Sequence, residues 1–143
     1  MLVIKTLPFF KYGVLLSTSF NFFNEANYLR VEISGDYNFE KIRVIYGQII
    51  AKCEELKYSK MLIDLRKMNG IVSFLDRFNL ANMIQNYLQH FVKIYILIDE
   101  NPRYKERIFE TVANNRGIYI KILHNEDEAL KLLQETDNYS AIS

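Results

Sequence analysis

Three apolar blocks of strand character, MLIDL (61–65), VKIYILID (92–99) and IYIKIL (118–123), recur about thirty residues apart, with a helix-patterned segment between each pair. Parallel neighbours in a sheet need a connection of a dozen or more residues, usually a helix, so this spacing predicts successive β-α-β crossovers. The architecture is therefore α/β. No nucleotide loop or nucleophile elbow accompanies it: the five glycines make no phosphate-cradling motif, and no Gly-x-Ser-x-Gly stretch is present.

Upstream of the crossovers, residues 11–20 and 28–34 read as two strands. In the second, Leu29, Val31 and Ile33 alternate with Arg30, Glu32 and Ser34, and the polar link 21–27 predicts an antiparallel hairpin. Phe22 and Phe23 fall in that link, where they either fold back on the sheet or form a contact patch. Residues 2–6 offer an extra strand. Asn38 caps a helix predicted over 39–57, with Ile42, Ile45, Ile49, Cys53 and Leu56 as its apolar stripe and Gly47 as a point of close approach to the sheet.

After MLIDL the stretch RKMNGIV reads as a turn. Ser73 and Asp76 then match a capping box for a helix running to about residue 89, which buries Phe78, Ala81, Ile84 and Leu88. Asn101-Pro102 starts the next helix and Gly117 ends it. Asn125 caps the last, docked by Ala129, Leu130 and Leu133. The predicted order is an N-terminal β-hairpin followed by α-β-α-β-α-β-α, a mixed central sheet covered by helices. One domain over 1–143 is expected, with its ordered core at about 11–134 and a frayed tail at 135–143.

At 143 residues the chain suits one core that buries roughly two thirds of its unfolded surface. A net charge of +1, with basic and acidic residues interleaved along the helices, argues against nucleic acid as a partner. The lone Cys53 sits on an apolar stripe and reads as a small core residue, which fits a reducing, cytoplasmic setting. No apolar run reaches the eighteen or so residues that cross a bilayer, and MLVIKTLPFF lacks the order of a secretion signal.

The stretches KMLIDLRKMNG (60–70) with SFLDRFNLA (73–81), HFVKIYILID (90–99) and FETVANNRGIYIKILHNEDEALKLL (109–133) together resemble the STAS domain of sulphate transporters and anti-sigma-factor antagonists. The likeness is to its SpoIIAA-like branch, which is related to Sec14-type lipid-binding domains. The resemblance covers residues 28–134. It implies a non-enzymatic interaction module that binds a protein partner through loop 66–72 and the following helix start, with Arg66, Lys67, Met68 and Phe74 on the contact surface. In the antagonist branch a serine at this helix start is phosphorylated. Here the Asp-Ser-Ser/Thr-Gly signature is replaced by Asn69-Gly70-Ile71-Val72-Ser73, and Ser73 is the serine in that neighbourhood, with Arg66 and Lys67 close in sequence and Asp76 opposing a phosphate. As a residue, Ser73 reads simply as a cap. The Sec14 relation offers an alternative, a carrier or sensor of a lipid or other apolar small molecule, for which the 14% aromatic content could line a pocket or merely fill a core.

Asp64, Asp99 and Glu100 fall near the ends of strand blocks, where open α/β sheets bind ligands. Their order does not match a magnesium-dependent phosphoacceptor site, since Lys121 lies inside a strand block. His90 and His124 lack partners at zinc-ligand spacing. Arg103, Lys105 and Arg107 are interrupted by Glu106 and read as a solvated helix face. No cofactor and no metal are expected. The hairpin edge leaves a homodimer open.

Overall fold

The computed structural model describes residues 3–11, 14–101 and 103–135. Ten elements follow in chain order: β1 (Val3–Lys11), β2 (Val14–Asn24), β3 (Leu29–Asp36), α1 (Phe39–Leu56), β4 (Lys60–Asn69), α2 (Phe74–Tyr87), β5 (Lys93–Leu97), α3 (Tyr104–Asn115), β6 (Ile120–Leu123) and α4 (Glu126–Gln134). The strands form one sheet in sequence order, β1-β2-β3-β4-β5-β6, antiparallel through β3 and parallel from β3 onward. The expected mixed sheet and crossovers are present.

Because successive strands always add on the same side, the crossover helices α1, α2 and α3 share one face of the sheet. Their apolar stripes, among them Ile45, Ile49, Ala81, Ile84 and Phe109, close over Phe20, Val31, Ile63, Ile94 and Ile122 as the main core. The opposite face carries a smaller core in which Ala129 and Leu133 of α4 cover Leu62, Tyr95, Leu97 and Leu123. Side chains alternate across a strand, so β4 and β5 feed both cores and read as continuous apolar runs.

Several local expectations are corrected. The expected antiparallel hairpin is β2–β3, and the extra strand anticipated at 2–6 is β1, which pairs antiparallel with β2; Tyr12 and Gly13, expected inside a strand, fall outside the described residues. Phe22 and Phe23 belong to β2 and not to a link. Phe22 is buried edge-on to Phe20, with ring centroids 5.4 Å apart. The chain instead turns at residues 25–28, closed by the Glu25 amide donating to the Tyr28 carbonyl at 3.1 Å.

Residues 66–69, expected as a turn, extend β4. Past a register shift Lys67, Met68 and Asn69 pair with Ser34, Gly35 and Asp36 of β3, and main-chain pairing overrides their polar character. Leu56 is exposed at the end of α1, and Gly47 faces Met83 of α2 at van der Waals range instead of the sheet. α2 stops at Tyr87, and α3 starts at Tyr104 with Arg103 as its cap instead of Asn101; Pro102 lies outside the described residues. The frayed tail expected from 135 onward likewise falls, past Glu135, outside them.

Where capping signals were strong, the structure follows them. Asn38, Ser73 and Asn125 accept from the amides of Lys41, Asp76 and Glu128 at 3.1, 3.1 and 3.0 Å. Gly117 ends α3 at φ +84°. Cys53 is buried in the main core, as expected, and burial pushes its thiol up to about 11, so it stays protonated and inert.

Candidate functional site at the carboxyl edge of the sheet

Extending β4 to Asn69 changes what lies at the sheet's carboxyl edge. Asp64 sits mid-strand, only 6% exposed, facing α4. The Arg66 guanidinium grips it with two hydrogen bonds, Nε to Oδ1 at 3.0 Å and Nη2 to Oδ2 at 2.8 Å, and Arg30 of β3 adds a third at 3.2 Å. Both guanidiniums also reach Glu126 at the start of α4, at 2.7 Å from Arg30 and 3.4 Å from Arg66. Burial alone would raise the Asp64 carboxyl, but the bonds from Arg66 and the two positive charges hold it below its ordinary value. Glu126 is held low chiefly by its bond from Arg30. A carboxylate neutralised twice over is no general base. The cluster fastens α4 to the sheet.

Asp99 lies on the other side of the molecule, exposed at the end of β5, so Asp64 and Asp99 do not converge. Among the described residues no three His, Cys, Asp or Glu side chains gather as a metal would require. His90 bridges Glu54 at 3.0 Å and the Tyr58 carbonyl at 2.6 Å, tying the end of α1 to the segment before β5. His124 is exposed.

What does occupy the carboxyl edge, on the α1–α3 side, is a cavity of about 350 Å³. Its walls are aliphatic and aromatic: Ile42 from α1, Ile63, Leu65 and Met68 from β4, Ala81 and Ile84 from α2, Ile94 and Ile96 from β5, and Phe109 from α3. At its rim stand Tyr37, Gly70, Ile71, Val72, Arg77, Asp99, Glu100 and Glu106. Tyr37 donates its hydroxyl to Asp76, and the Tyr37 amide donates to the Asn69 carbonyl at 2.8 Å, which pins the β3–α1 turn against the end of β4. Burial and the Asp76 carboxylate together raise the Tyr37 hydroxyl above its ordinary value. Arg77 reaches Glu106 of α3 at 3.4 Å.

The rim is apolar where the chain passes from β4 into α2. Gly70, at φ +109°, turns the chain outward, and an added Cβ there would press on the Tyr37 side chain at 3.0 Å. The next residues leave Ile71 89%, Leu75 68% and Phe74 44% exposed. Phe74 is anchored edge-on to Phe78 at 4.8 Å and to Phe109 at 6.5 Å, so it is a fixed platform.

Of the residues expected on this surface, Met68 packs against the main core, Phe74 and Lys67 are exposed, and Ser73 is exposed with its hydroxyl engaged as the cap. The Arg66 side chain turns to the α4 side and is held there. Ile71 and Leu75 lie within the expected loop 66–72 and helix start but are not among the residues singled out there, although an apolar Ile-Val pair directly after a turn glycine was a usable signal. Sequence reading missed the Arg30–Asp64–Arg66–Glu126 cluster, whose members lie up to ninety-six positions apart and meet through the parallel pairing of β3 with β4.

No family model matches the chain, and no curated protein matches it. Solved structures do. An anti-sigma factor antagonist from Mycobacterium paratuberculosis superposes with a TM-score of 0.56 at 14% identity, covering 93% of this chain and 96% of its own. The protein TM1081, solved by NMR, gives 0.51 at 15% identity over 80% and 88%. At such identities the likeness is one of fold alone: the chain has a STAS-like fold, which it shares with the solved antagonist.

Proposed function

We propose that this chain is a non-enzymatic, cytoplasmic regulatory module that docks a protein partner on the carboxyl edge of its sheet, through the end of β4, residues 70–73 and the first turn of α2. The observation that carries this reading is the run of exposed apolar side chains at Ile71, Phe74 and Leu75 on a rigid frame. Large apolar groups clustered in water mark interaction sites more often than chance exposure does. A solved protein of the same fold is named an anti-sigma factor antagonist, which supports a protein-binding role. Ser73 stands in the middle of this surface. A phosphate there would meet the positive end of α2 and the opposing charge of Asp76, and would alter docking directly.

The experiment is cross-linked capture from cells, comparing the parent chain with Ile71→Asp/Leu75→Asp and with Val44→Asp, which places a charge on the exposed side of α1. A partner retained by the parent and by Val44→Asp but lost by the double variant is the expected result. Equal capture by all three chains contradicts the assigned surface.

A further inference from the structure

A pocket of about 350 Å³, walled by the main core and opening at the carboxyl edge, is a built feature of this fold. Its volume lies at the lower end of the range of roughly 300–1,000 Å³ typical of small-molecule sites. That suits a single short chain or fused-ring skeleton and is too small for a diacyl lipid.

One polar group projects from its wall. Tyr46 of α1 is 6% exposed, lines the cavity, and makes no hydrogen bond to any described residue. Among the described residues the one sealed polar atom without a partner is Asn21 Oδ1, so the Tyr46 hydroxyl is reached from the pocket and stands there as a donor open to a ligand atom. Burial keeps this hydroxyl protonated, pushed up to about 12, so it is a donor. The rim sets the charge of what enters. Glu106 is paired with Arg77 and Glu100 with Arg103 at 2.8 Å, which leaves Asp99 uncompensated and no free cation among the described rim residues. An anionic head such as a fatty carboxylate or phosphate would be repelled there.

We infer that the cavity between β4–β6 and α1–α3 is a binding site for a compact, uncharged, mainly hydrocarbon molecule with one acceptor atom, a ketone or ether oxygen, seated on the Tyr46 hydroxyl. This site stands independently of the protein that docks on the rim, although Ile71 and Val72 belong to both. An occupied cavity therefore has a direct route to the docking surface.

The test uses the full chain and 1-aminoanthracene, a neutral fluorophore, displaced in turn by 2-undecanone and by decanoate. Saturable one-to-one binding is expected, with the ketone displacing the probe at least about tenfold more strongly than the anion. Tyr46→Phe keeps the ring and removes the donor. It should weaken the ketone about five- to tenfold, the effect of one hydrogen bond, with unchanged melting temperature. Methyl NMR on the parent chain should show shifts at Ile84, Ile94 and Ile122 on ketone addition. No saturation, shifts confined to other residues, equal displacement by decanoate, or a ketone affinity unmoved in Tyr46→Phe each overturns the assignment.

Discussion

Asp64 shows how far one residue's meaning depends on its strand's length. Read in MLIDL it ends a strand and invites chemistry; in the fold it is a buried counter-ion between Arg30 and Arg66. Removing one partner from a buried ion pair strands the other charges, so Asp64→Asn should destabilise the protein by about 3 kcal/mol in urea unfolding. Glu126→Gln, at a partly exposed position, should cost under about 1 kcal/mol. Gly35 is decisive for a different reason. Its φ of +96° and the Ser17 carbonyl oxygen, 2.3 Å from where a Cβ would stand, leave no room for any side chain. Gly35→Ala should cost more than the roughly 1 kcal/mol expected from conformation alone, read in urea unfolding. Neither role was readable beforehand, because each is created by a neighbour from a different strand. The caps at Asn38, Ser73 and Asn125 were readable, because each acts within four residues of itself.

At the scale of elements, α4 is attached to the sheet by a small apolar core and by the Arg30–Asp64–Arg66–Glu126 cluster. Asp64 and Glu126 both have folded carboxyls held below their ordinary values of 3.8 and 4.5. A depressed carboxyl stabilises the fold fully above its unfolded value and loses that contribution as pH falls through the folded one. Stability should therefore be level above about pH 5 and fall steeply below about pH 4, with the α4 amides exchanging first; in Asp64→Asn the acid-dependent part should shrink. The sheet edge at β6 is managed by α3. Glu110 accepts from the Ile122 amide at 2.5 Å, and Asn114 donates to the Ile120 carbonyl at 3.2 Å, so β6 is closed to a further strand. Glu110→Ala should speed exchange of the Ile122 amide while leaving β4 amides protected. Sheet-to-sheet association, if the chain self-associates, falls to β1, the opposite edge strand.

For the molecule as a whole, the recurrence of apolar blocks was enough to reach the mixed sheet and the crossover helices, because hydrophobic periodicity is set by the same burial that builds the layers. It could not reveal the cavity, which depends on the volume left between side chains of six elements, nor the rim, which depends on Gly70 turning Ile71 outward. In the proposed function the docking surface is the sheet's carboxyl edge on the α1–α3 side, with α4 and the β1–β2 hairpin as support. Among the described residues no helix is long and apolar enough to cross a membrane. The most direct test is hydrogen exchange on the chain with and without its captured partner. Docking on this edge predicts added protection over residues 68–78. Protection confined to α4 or to the β1–β2 hairpin, with 68–78 unchanged, would contradict it.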